Sequence, residues 1–150
     1  MVRFAGGTVP LDAGEAPRAP GSYLLVLRTH VPRALVIGRL GVLHLPAGWH
    51  VYAGSAQGGL AARLRHHLRP PRRPHWHIDY LRPHAELVEV WVAVGRGRRE
   101  CALAASLATL PGARRWARFG SSDCRCAGHL ISLAARPPLR MLAPTLVRLR

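Results

Sequence analysis

The chain has 150 residues, 49% of them hydrophobic, which suits one domain with a real core and is too apolar for wholesale disorder. Its 22 basic residues, all arginine, face 7 acidic ones for a net charge of +15; this favours a polyanion, and nucleic acid over membrane, since the arginines trace no single amphipathic face. No window of about 18 residues is apolar and uncharged, no signal-peptide pattern opens the chain, and three cysteines make a poor disulfide framework, so a cytoplasmic protein without a membrane span is expected.

Residues 1–20, rich in Gly, Pro and Ala, read as a loose extension. Gly21 opens an apolar run over 23–27 of strand length. Residues 34–37 and 40–45 read as a second strand, bulged or broken at Gly38-Arg39. Pro46-Ala47-Gly48 is a turn, and 49–53 a third strand. After a small-residue loop, Leu60, Leu64, His67 and Leu68 keep helical spacing. That spacing predicts a helix over 59–69, stopped by Pro70 and Pro71. A basic, proline-rich loop covers 69–75, followed by the segment 75–81. Residues 87–94 alternate as a strand, and 96–99 form a basic turn. Apolar residues at 103, 107 and 110 predict a helix over 100–110, closed by Pro111-Gly112. Residues 129–133 read as a last strand. The domain is expected to span 21–135 and to be followed by a basic tail, 136–150, with helical character from 139.

Three elements carry candidate chemistry: Gly21-Ser22-Tyr23, then Val51-Tyr52-Ala53-Gly54, then Arg63 with His67. Glu100 follows on a later helix. Two tyrosines, an arginine, a histidine and one metal-binding carboxylate suffice to hydrolyse a phosphodiester. A phenol can orient water or bond a phosphate oxygen, and as a base it would need neighbouring cations to depress its pKa. Arg63 and His67 are four residues apart and share a helix face. The arginine fork suits a phosphate because it donates two parallel hydrogen bonds and stays charged. Gly54 would let the backbone pass close to a ligand or to a neighbouring strand. The plainer alternatives are two core tyrosines and one more solvated arginine. Arg65, Arg69, Arg72, Arg73 and His75 are candidate nucleic-acid contacts, and Trp76 reads as core rather than as a base-stacking platform. Of the carboxylates, Asp12 and Glu15 fall in the extension, and Glu86 and Glu89 go to the polar face of a strand. Asp79, Glu100 and Asp123 remain for a metal. Glu100 could equally be a helix-start carboxylate favoured by the dipole.

These residues and their order resemble the GIY-YIG nuclease superfamily, and within it the uncharacterised domain-of-unknown-function family 123. Supporting segments are Gly59-Leu60-x-x-Arg63-Leu64-x-x-His67-Leu68, His75-Trp76-His77-Ile78-Asp79-Tyr80-Leu81, Glu100-Cys101 and Gly120-Ser121-Ser122-Asp123-Cys124-x-Cys126-x-x-His129-Leu130. The resemblance covers about 21–133. It implies a small α/β domain with a central, mainly antiparallel sheet flanked by helices, and Mg2+- or Mn2+-dependent hydrolysis of DNA, more readily than RNA. It also implies that Tyr23, Tyr52, Arg63, His67 and Glu100 are catalytic. Arg63 would stabilise the phosphate, His67 would activate water or assist the leaving group, and Glu100 would hold the metal. Some nucleases of the superfamily carry an asparagine after the helix glutamate, and this chain contains none. A catalytically silent nucleic-acid-binding module is the alternative.

Cys101, Cys124, Cys126 and His129 could hold zinc through three sulfurs and a nitrogen, as in a zinc-stabilised interaction protein. Cys-x-Cys is tighter than the usual ligand gap, and Cys101 falls inside a predicted helix. One buried thiol and two loop thiols are therefore the favoured expectation. His75 and His77 could form a metal pair or a structural segment.

Overall fold

The computed structural model describes residues 2–4, 7–9, 16–69, 72–121 and 124–149. Asp12, Glu15, Pro70, Pro71 and Asp123 lie outside these, so the expectations placed on them carry no structural account. Among the described residues the chain forms β1 (Val2–Phe4), β2 (Gly7–Val9), β3 (Gly21–Thr29), β4 (Arg33–Val36), β5 (Val42–Leu45) and β6 (Gly48–Ala56). Then come α1 (Leu60–Leu68), α2 (His77–Leu81), β7 (Glu86–Val94), α3 (Glu100–Ala108), β8 (Arg114–Arg115), β9 (Leu130–Leu133), α4 (Leu139–Leu142) and β10 (Val147–Arg148). Six strands make one antiparallel sheet in the order β10-β7-β3-β6-β9-β8, so the fold is a small α/β domain. Within the N-terminal twenty residues, β1 and β2 pair as a hairpin.

β3 is the middle of this sheet and is covered on both faces. That is why it reads as a continuous apolar run rather than as an alternation. Tyr23, Leu25 and Leu27 join Tyr52, Leu60, Leu64, Ile78 and Leu81 on the face packed by α1 and α2. Leu24 and Val26 join Val51, Ala53, Leu103 and Leu107 on the face packed by α3. Each fully buried Leu or Ile contributes roughly 1.5–3 kcal/mol. The register sets Tyr23 opposite Gly54, and Ser22 opposite Ser55.

The expected second strand is instead a hairpin. β4 and β5 pair antiparallel as their own two-stranded sheet, Leu35 opposite Leu43. Gly38 and Gly41 take φ of +47° and +89°, and a short 3-10 turn between them reverses the chain. Leu35, Ile37, Leu43 and Leu45 are buried while Val36 and Val42 stay exposed, so the hairpin lays one face on the core.

Glu89 also departs from its expected polar face. It is buried in β7, ion-paired with Arg136 and, at 3.4 Å, with Arg148, and accepts the Trp91 Nε1 hydrogen at 3.0 Å. The C-terminal residues bring those arginines in, with β10 pairing along β7. No helix among the described residues is long and apolar enough to cross a membrane.

Candidate functional site

Where β3 begins and β6 ends, a cleft of about 150 Å3 opens between the strands and the starts of α1 and α3. Its wall includes Tyr52, Gly54, Ser55, Arg63, Trp76, Arg98, Glu100, Gly120, Cys124 and His129. Residues from five separate stretches thus meet, and Glu100 is the only carboxylate on the wall among the described residues.

The glycines of the two triplets are explained by space. A Cβ on Gly54 would lie 2.4 Å from the Tyr23 ring and hydroxyl, and one on Gly21 would lie 2.5 Å from the Ala93 carbonyl and from Leu60. Gly54 therefore makes room for a neighbouring strand's phenol.

Tyr23 is 1% exposed, and its hydroxyl lies 2.6 Å from His67 Nε2. Burial pushes its pKa up to about 12, against the opposing influence of the nearby Arg63 charge. Burial also raises Tyr52 well above the usual phenol range, with Tyr23 adding to the effect. The cationic neighbour does not win, and both tyrosines are neutral phenols at neutral pH. Burial first, then the His66 charge, lowers His67 to about 3, so it too is neutral. Tyr23 and His67, both neutral, share one buried hydrogen bond. His67 Nδ1 is buried without a partner. Neither Tyr23 nor His67 forms part of the cleft wall.

Arg63 comes from α1. Its Nη1 donates to the Ser55 carbonyl at 3.1 Å, and its guanidinium covers the Trp76 ring at 4.4 Å. Trp76 is half-buried, packs against the core, and holds the arginine plane by a cation–π contact. Glu100 is the first residue of α3 and 7% exposed. The Ser55 hydroxyl donates to Glu100 Oε2 and lies 3.0 Å from the Ser22 hydroxyl, which in turn accepts the Arg99 N–H at 3.2 Å. Sequence reasoning missed these serines. Their signal is present, one inside the first triplet and one directly after the second, but only strand register shows that they face each other.

Asp79 does not reach the cleft wall. Burial would raise its pKa, but the backbone N–H groups of Trp76 and His75, at 3.0 and 2.8 Å, and His66 at 2.8 Å outweigh it and hold the carboxylate below its usual range. It caps α2 instead of holding a metal. His77 Nδ1 accepts the Gly120 N–H at 2.8 Å and His75 is exposed against Trp76, so the two are not set up as a metal pair. Arg65, Arg69, Arg72 and Arg73 are all exposed, on α1 and the loop after it.

One group of four stands together at the cleft's far end. Cys101, in the first turn of α3, meets Cys124, Cys126 and His129 from the loop before β9, with all four ligand atoms within 4.8 Å of one another. The family model for a domain of unknown function, DUF123, matches residues 22–149. The chain belongs to the DUF123 family. No curated protein and no solved structure matches it. The DUF123 match runs from Ser22 in β3 through β10, so it takes in all of the six-stranded sheet but Gly21 and every residue of the cleft wall named above.

Proposed function

We propose that this DUF123 chain is a GIY-YIG-like, divalent-metal-dependent endonuclease that hydrolyses DNA phosphodiesters in the cleft between β6, α1 and α3. The observation that carries this reading is the convergence of Tyr52, Arg63 and Glu100 from three separate elements on one basic cleft wall.

The donor set suits Mg2+ or Mn2+, which take one or two carboxylates together with waters and substrate phosphate oxygens. Glu100 would hold the ion, which would supply charge stabilisation at the phosphate and a more acidic bound water. The chain's own residues do the rest. Arg63, held flat on Trp76, presents N–H groups to non-bridging phosphate oxygens where charge builds. The Ser55 carbonyl helps hold that guanidinium, and Tyr23, a neutral phenol bonded to His67, lies close enough to feel its charge. Tyr52 orients a water or phosphate oxygen through its hydroxyl. Ser55 and Ser22 fix the Glu100 carboxylate. Arg98, on the wall, and the exposed Arg65, Arg69, Arg72 and Arg73 would carry the flanking strand, with His75 beside them.

A second reading, a nucleic-acid-binding module without cleavage, is favoured by one feature. Neither tyrosine has a depressed pKa, so neither is a ready base. The test is incubation of the purified chain with Mg2+ or Mn2+ on flap, branched and single-stranded DNA. Metal-stimulated nicking supports the nuclease; tight binding with no nicking on any substrate supports the silent module.

A further inference from the structure

We propose that Cys101, Cys124, Cys126 and His129 form a structural zinc site that clamps the loop before β9 onto the start of α3. All four ligand atoms lie within 4.8 Å of one another, and three of the six edges are close to those of a tetrahedral shell. Cys101 Sγ and Cys124 Sγ lie 3.4 and 3.3 Å from His129 Nε2, and Cys124 Sγ lies 3.6 Å from Cys126 Sγ. With Zn–S near 2.3 Å and Zn–N near 2.0–2.1 Å, the edges of a tetrahedron are about 3.8 Å for two sulfurs and about 3.6 Å for sulfur and nitrogen. The three cysteines form no disulfide. Three thiolates and an imidazole gathered this closely suit zinc among common divalent ions.

The surroundings fit a ligand set rather than three incidental thiols. His129 is buried and turns Nε2 to the sulfurs of both Cys101 and Cys124. The loop carrying three of the ligands is tightly folded on itself. The Arg118 N–H reaches the Ala127 carbonyl at 2.9 Å and the His129 N–H reaches the Phe119 carbonyl at 2.7 Å, with Arg118 at φ +62°. Cys101 is the one ligand from outside it. Four protein ligands leave no open position, so the ion is structural and not catalytic. Because Cys101 follows Glu100 directly, the clamp also sets the start of α3 beside the cleft.

The experiment is metal analysis of the full chain, expressed with zinc present and desalted, with no nucleic acid in the assay. About one zinc per chain is expected, with a sulfur-dominated absorption-edge spectrum and loss of melting temperature on chelation. Replacing zinc by Co2+ should give the visible absorption of a tetrahedral thiolate site, a readout that holds even if ligand variants fail to fold. Cys126→Ser should weaken zinc binding by more than the roughly 10–100-fold that loss of an outer contact costs. Three titratable thiols with negligible zinc, or a disulfide between two of the cysteines, would overturn the site. Either result can be obtained whether or not the chain cleaves DNA.

Discussion

Tyr23 and Gly54 form a pair whose roles only make sense together. Gly54→Ala would push a methyl into the Tyr23 ring, which is anchored by His67, and should cost about 1–3 kcal/mol as overpacking, read as a lower melting temperature. Tyr23→Phe leaves the buried His67 Nε2 without its partner and should also lower melting temperature, through a loss of about 1–3 kcal/mol of stability. Two histidines make stability depend on pH. Trp116 Nε1 donates to the Ser132 hydroxyl at 2.7 Å, which lies 2.6 Å from His50 Nδ1, and His50 Nε2 lies 2.8 Å from the Thr29 hydroxyl, itself a donor to the Pro46 carbonyl at 3.0 Å. Every proton in that chain runs one way if His50 is neutral. Burial lowers His50 from 6.5 to about 4 and His67 from 6.5 to about 3. The unfolded chain takes up these protons near pH 6.5 and the fold resists, so the stability they contribute is complete above about 6.5 and is lost as pH falls towards 4 and 3. Melting temperature should drop steadily from pH 7 to pH 4, and less steeply in His67→Gln. A flat profile would mean that neither imidazole is held neutral by the fold.

At the level of elements, β3, β6, β7 and the helices α1 and α3 are legible in the sequence because runs of Leu and Val, or apolar residues three and four apart, have one natural reading. The β4–β5 hairpin is not, because its reversal rests on two positive-φ glycines inside an otherwise apolar stretch. Glu89 is misread for a related reason. Alternation sends residue 89 to solvent only if one face of β7 is open, and here the C-terminal residues cover that face. Glu89→Ala should therefore act at a distance. It leaves Trp91 Nε1 without its acceptor and removes the carboxylate that Arg136 and Arg148 share. A loss of about 1–3 kcal/mol is expected, with faster hydrogen exchange at Leu149, whose N–H bonds the Val90 carbonyl. Exchange unchanged at that amide would show that β10 docks without the buried carboxylate. The Cys101 thiol shows the opposite limit of sequence reasoning. More than twenty positions along the chain separate it from Cys124, and only the packing of α3 on β6 and β9 closes that gap.

For the whole molecule, a net charge of +15 and exposed arginines after α1 should give micromolar or tighter, sequence-independent affinity for nucleic acid. Counterion release makes that affinity fall steeply with salt, and replacing Arg69, Arg72 and Arg73 together should shallow the salt slope by up to roughly 3 without changing the melting temperature. Binding that barely changes between low and physiological salt would remove the electrostatic account. The charge alone fits a silent binder as well as an enzyme, and the cleft is what separates them. Glu100→Gln keeps the shape of the side chain and removes its negative charge. Measured on one preparation, for cleavage and binding in parallel with Mg2+ or Mn2+, this variant should lose on the order of 10²-fold or more in cleavage rate while binding DNA as well as the wild type or slightly better. A Glu100→Gln protein that cleaves at the wild-type rate would contradict the assignment of the cleft as a metal-dependent phosphodiesterase site.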